Sequence, residues 1–139
     1  MENGSLFVGG GVTDDTGWVL LTLNSGFVNR SGGNYEVAYR KINNQVFIKG
    51  QFGTTRALSS SSSNNEKTFA VLPSQLIPKY EVRFTISNAN IQLIPDCWID
   101  VSNTYKGRMI ISPTDSITLA PTTAANARLQ INNFSYLLD

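Results

Sequence analysis

Glu36-Val37-Ala38-Tyr39-Arg40-Lys41-Ile42, then Asn43-Asn44, then Gln45-Val46-Phe47-Ile48-Lys49-Gly50-Gln51-Phe52 is the stretch that decides the fold. Two apolar-rich arms flank a polar Asn-Asn pair, the pattern of a β-hairpin closed by a two-residue turn. In the second arm Val46, Ile48, Gly50 and Phe52 share one parity, and Phe47, Lys49 and Gln51 share the other. Successive side chains of a strand point to opposite faces, so the first set is assigned to the core and the second mostly to solvent. Gly50 in mid-strand marks a bulge or a crowded neighbour.

Outward from the hairpin, extended segments and turns alternate. Before it, Trp18 to Leu23 reads as the first strand, and Asn24 to Asn34 as a loop whose apolar pair, Phe27 and Val28, folds back on the domain. After it, residues 57–66 contain five consecutive serines and two asparagines, read as an exposed, mobile loop with nothing to bury. Lys67 to Val71 is a short strand. Glu81 to Ile86 alternates cleanly, with Val82, Phe84 and Ile86 on one face. Asn88-Ala89-Asn90 turns into Ile91 to Ile94, where Pro95 breaks or bends the strand. Further strands follow at Trp98 to Val101, Arg108 to Ser112, Ile117 to Ala120 and Arg128 to Tyr136. In the last, Leu129 and Ile131 differ in parity from Phe134 and Tyr136, which a bulge around Asn132-Asn133 reconciles. The sum is an all-β domain: a compact antiparallel β-sandwich or small barrel of about nine or ten short strands, with little or no helix. Residues 1–14, with Gly9-Gly10-Gly11, read as a flexible linker or expression remnant, and 15–139 as one domain.

Charged residues are 15% of the chain, with a net charge of +1, while Ser, Thr and Asn supply 40 of the 139 residues. Solubility therefore rests on uncharged polar groups. The 11 basic residues are scattered, which argues against the concentrated basic patch of a nucleic-acid binder. No apolar run reaches membrane-spanning length, so membrane insertion is not expected.

Chemistry is sparse. Histidine is absent and Cys97 is the single cysteine, so no intrachain disulfide forms, and a nucleophile lacks its usual base. Cys97 reads as a small buried residue. Asp14-Asp15 reads as a turn rather than a calcium site. Asp96 and Asp100 flank Trp98, but four residues along a strand span roughly 13 Å, too far for a glycosidase pair. No phosphate-loop motif, metal site or cofactor is read, and no enzyme activity is expected. Binding remains. Sugar C–H faces stack on aromatic rings while Asn, Asp and Arg take the hydroxyls. The candidates for such a site are Trp98, Tyr80, Tyr105, Arg83 and Asp96.

Several motifs, in their order, resemble a domain found at the C-terminal tip of tail-fibre and baseplate proteins of phages infecting Gram-positive bacteria. They are Asp15-Thr16-Gly17-Trp18, then Leu21-Thr22-Leu23-Asn24-Ser25-Gly26-Phe27, Tyr39-Arg40-Lys41 and Gln45-Val46-Phe47-Ile48-Lys49-Gly50. Further on come Phe69-Ala70-Val71-Leu72-Pro73, Ile77-Pro78-Lys79-Tyr80 and Leu129-Gln130-Ile131-Asn132-Asn133-Phe134-Ser135-Tyr136. The resemblance covers about residues 15 to 138 and is loosest from Asn88 to Ala125. It implies an all-β receptor-binding head, commonly homotrimeric, exposed at the virion tail beside other tail and baseplate proteins. It also implies adhesion to host cell-wall polysaccharide or teichoic acid. A structural baseplate or fibre module without a ligand is the alternative, and a polysaccharide-degrading enzyme a poorer one.

Overall fold

A computed structural model describes residues 14–132 and 134–139. The expectation for residues 1–14 falls almost wholly outside that range.

The hairpin forms as read. Strands β3 (Ala38–Ile42) and β4 (Gln45–Lys49) pair antiparallel, with Ile42 opposite Gln45 and Asn43-Asn44 as the turn. Asn43 takes φ 53°, a left-handed value that asparagine tolerates better than most residues. Val46 and Ile48 are buried and Lys49 is exposed. β1 (Val19–Leu20) adds to β3, and β11 (Phe134–Leu137) adds to β4. The result is a four-stranded sheet in the order β1-β3-β4-β11.

The second arm of the hairpin does not end at Lys49. It changes sheet. Gly50, at φ 141°, turns the chain into β5 (Gln51–Thr54), which belongs to a seven-stranded sheet ordered β2-β5-β10-β7-β8-β9-β6. The other members are β2 (Phe27–Asn29), β6 (Thr68–Val71), β7 (Val82–Ser87), β8 (Leu93–Ile99), β9 (Arg108–Ser112) and β10 (Leu129–Ile131). Its outer strands approach each other through a bridge between Leu23 and Ala70, supported by the Asn24 N–H donating to the Phe69 carbonyl at 2.9 Å. The sheet is thus a nearly closed barrel.

The closing segment makes the same change. Leu129 and Ile131 bury into the barrel through β10, whereas Phe134 and Tyr136 bury from the four-stranded sheet through β11. The parity switch read as a bulge around Asn132-Asn133 is therefore accompanied by a transfer between sheets; Asn133 itself lies outside the described residues. The two transfers are adjacent: the Ile131 N–H donates to the Gly50 carbonyl at 3.1 Å.

A chain of rings runs through the barrel and on to the four-stranded sheet. Phe52 stacks on Phe69 at 4.6 Å, Phe69 meets Phe84 edge-on at 6.4 Å, and Phe84 stacks on Phe134 at 4.4 Å. Fully burying one such side chain contributes roughly 1.5–3 kcal/mol; the first three rings all belong to the barrel, and the Phe84–Phe134 stack is the step that joins them to the four-stranded sheet. Tyr136 ends it, its hydroxyl donating to the Leu76 carbonyl at 2.7 Å in a buried setting.

Several expectations change. Of Trp18 to Leu23 only Val19–Leu20 is regular strand, because Leu23 has already left for the barrel to meet Ala70. The serine-rich run does bury something: Leu58 is 1% exposed and exchanges both backbone hydrogen bonds with Leu119. That run also ends in a short helix α1 (Asn64–Lys67), started by a capping box in which Ser63 and Glu66 satisfy each other's backbone N–H. Finally, of the two expectations for Pro95 the bend holds and the break does not. The strand continues through it across a bulge, pairing Phe84 with Cys97 and Ile86 with Ile94.

Candidate functional site

Arg83 and Trp98 face outward at paired positions of β7 and β8, with the guanidinium carbon 4.9 Å from the indole centroid. Glu81 holds the same guanidinium through Nε at 2.9 Å. Asp96 is exposed two residues before Trp98 and shares its face. The remaining two candidates stand apart. Tyr80 lies in the turn before β7, 71% exposed, with Lys79 Nζ 5.5 Å from its ring. Tyr105 lies in the loop between β8 and β9 and lies against Arg108 at 3.8 Å. Arg108 is itself buried, donating to Asn65 Oδ1 at 2.8 Å and lying 3.5 Å from Asp100. Tyr105 therefore covers a structural ion pair. Asp100 and Asp96 do not form a pair of their own. None of the five candidates lines either of two clefts formed by the described residues.

The larger cleft, about 560 Å³, opens where the chain passes between the sheets at Gly50 and again beside Ile131. Its walls come from four separate segments. Trp18 precedes β1, Asn34 and Tyr35 precede β3, Phe47 to Gln51 cross between the sheets, and Gln130, Ile131, Phe134 and Ser135 come from β10 and β11. The crossing is possible only because residue 50 has no side chain: a Cβ there would lie 2.5 Å from Val37 Cα and 2.8 Å from Val37 N.

Two of the cleft's aromatic walls carry a cation. Lys49 Nζ sits 4.3 Å from the Trp18 ring centroid, and the Arg30 guanidinium sits 4.1 Å from that of Tyr35. Arg30 Nη1 also donates to Gln51 Oε1. The segment before Trp18 is clipped to β3. Asp15 makes a two-point ion pair with Arg40, at 2.9 and 2.6 Å, and Thr16 exchanges hydrogen bonds with the Lys41 backbone. Hydrogen bonding from Arg40 draws the Asp15 carboxyl down to about 2, so the clip stays charged at any ordinary pH. Rings, amides, hydroxyls and an ammonium line the cleft. Among the described residues no carboxylate does. Such a wall offers stacking and hydrogen bonding, and it tolerates negative charge.

The sequence places Trp18 at the start of the first strand and not among the candidate site residues. Tyr35, Gln51 and Gln130 could not have been gathered from sequence, since they lie up to 95 residues apart; the one local signal was mid-strand Gly50. Cys97 is buried as read, and burial pushes its thiol up to about 12, far from a nucleophilic thiolate.

The fold defines the class, an all-β domain of one four-stranded sheet packed on a nearly closed seven-stranded one. It is similar to the crystal structure of the receptor binding protein (gp15) of Listeria phage PSA, with a TM-score of 0.55 over 92% of this chain. At 16% identity that likeness is one of fold, and the chain spans 66% of the length of that protein. No protein-family model and no curated protein matches the chain.

Proposed function

We propose that this chain is the tip domain of a phage tail fibre or baseplate and binds a host cell-surface saccharide during adsorption. The observation that carries the reading is the cleft at the sheet crossing. Trp18 and Tyr35 supply rings for sugar C–H faces, Asn34, Gln51 and Gln130 supply amides for hydroxyls, and Lys49 supplies a cation for a phosphate. Those groups suit wall polysaccharide or teichoic acid. The shared fold with a phage receptor-binding protein supports the setting, a virion tail with other tail proteins as partners. A homotrimer fits this reading, because three weak sites on one tip gain by avidity.

A second reading, a structural module without a ligand, is favoured by one feature. Trp18, Val19 and Leu20 are consecutive and exposed, Leu20 at 66%, as a protomer contact would require.

The deciding experiment is sedimentation of the purified protein with cell walls from a Gram-positive panel that includes Listeria. Saturable binding that Trp18→Ala removes and Trp98→Ala spares supports the cleft. Loss with Trp98→Ala alone moves the site to the Arg83–Trp98 face. Lack of saturable binding to every wall, with Trp18→Ala disrupting an oligomer, establishes the structural module instead.

A further inference from the structure

We propose that the domain holds an extended saccharide chain rather than one terminal sugar, using a second cleft that continues the first along β10. The inference rests on the saccharide-binding reading above and adds a site to it. The second cleft, about 250 Å³, lies between the β7–β8 turn, the segment before β10 and the start of β10 itself. Asn88, Asn90, Thr118, Asn126 and Arg128 line it with amides, a hydroxyl and a guanidinium.

Register joins the two clefts. Along β10, Leu129 and Ile131 are buried while Arg128 and Gln130 face out. Arg128 lines the second cleft and Gln130 the first, so consecutive outward positions, about 7 Å apart on a strand, serve the two cavities. On the neighbouring strand β5 Gln51 lines the first cleft, whereas Gly53, which borders the second, is buried beneath Thr122 and Ala127. The outward positions of Arg128 and Gln130 are therefore what a single chain would follow from one cleft to the other.

The chemistry differs between them in a way that assigns an order. The first has the rings that grip a sugar. The second has none, and no carboxylate among its described lining residues. It therefore suits the hydroxyls or phosphate of the next unit in a chain already anchored beside it. Arg128 is exposed, and among the described residues its side chain has no ion-pair partner.

The turn that walls the second cleft is held under backbone strain. Ile91 sits at φ 62°, a left-handed conformation that a β-branched residue rarely adopts. Asn88 enforces it: its Oδ1 accepts from the Asn90 and Gln92 N–H groups at 3.0 Å each, and its Nδ2 donates to Gln92 Oε1 at 2.9 Å. Strain of this kind persists where the surrounding structure over-determines it, commonly beside ligands.

The test uses wall glycan from the same Gram-positive panel, cleaved and fractionated by length, and measured against the full chain by calorimetry. Long fragments are expected to bind more tightly than a single repeat. Arg128→Ala removes one charge-assisted contact and should weaken long fragments about tenfold while leaving the single repeat nearly unchanged. Ala120→Trp, which plugs the second cleft from an exposed lining position, should do the same. Trp18→Ala should weaken both lengths. Avidity between protomers raises affinity for long fragments too, but neither second-cleft variant would alter that gain. If the parent binds glycan but both variants match it at every length, the second cleft is overturned and the first stands. If the parent binds no fragment, the saccharide reading falls and this inference with it.

Discussion

Replacing Gly50 with alanine probes the crossing on which both the fold and the larger cleft depend. Two costs add. At φ 141° a residue with a Cβ is in a region used almost only by glycine, which costs of order 1–3 kcal/mol. The new methyl would also stand 2.5 Å from Val37 Cα, a backbone atom that cannot swing aside, and overpacking of this kind typically costs about 1–3 kcal/mol more. Gly33→Ala is the matched control, because Gly33 has φ 123° but nothing within 4 Å of its would-be Cβ. The expected losses are about 3–5 kcal/mol for Gly50→Ala and about 1–2 kcal/mol for Gly33→Ala. In a domain of this size the larger loss lowers Tm by roughly 10–20 °C. Urea unfolding with an unchanged m-value, checked by thermal melts, gives both numbers. If Gly50→Ala is no more costly than Gly33→Ala, the close approach of Val37 is not what demands glycine, and the account of the crossing fails.

Leu58→Ala should cost about 2–4 kcal/mol despite its serine-rich surroundings, because the side chain is fully buried and leaves a cavity; urea denaturation reads it, and a loss below about 0.5 kcal/mol would return that segment to solvent. Tyr136→Phe should cost about 1–2 kcal/mol by leaving the buried Leu76 carbonyl without its donor. Burial raises both Tyr136, from an ordinary 10.0, and Cys97, from an ordinary 9.0 to about 12. Their contribution is therefore complete below about pH 9 and is lost as the pH climbs, first through the thiol and then through the phenol, since the unfolded chain releases these protons earlier. Stability measured from pH 8 to 11 should fall, and Cys97→Ala should delay the onset of the fall; a flat profile in the parent refutes the assignment.

Much of the fold was readable locally. Alternation in 45–52 correctly assigned Val46, Ile48 and Phe52 to the core, because the two-residue period of a strand depends on backbone geometry alone. The Asn-Asn turn was readable because asparagine accepts left-handed φ. Leu58 was missed since a lone leucine among serines has no periodic context, and its burial comes from pairing with Leu119, 61 residues away. Of the sequence-selected site residues, Arg83, Trp98 and Asp96 share a face, while Tyr80 and Tyr105 pair with other cations.

By itself the sequence determined the class of structure, the hairpin and its core face, and the small buried role of Cys97, all of which follow from neighbours within a few residues. Tertiary structure alone decided that the hairpin's second arm serves two sheets. Alternation is blind to this, since Val46, Ile48 and Phe52 point inward whichever sheet receives them. The same crossing made the cleft. Trp18, Tyr35, Gln51 and Gln130 become neighbours only because Gly50 lets one strand pass close to Val37 and because β10 hands the chain on to β11 beside it.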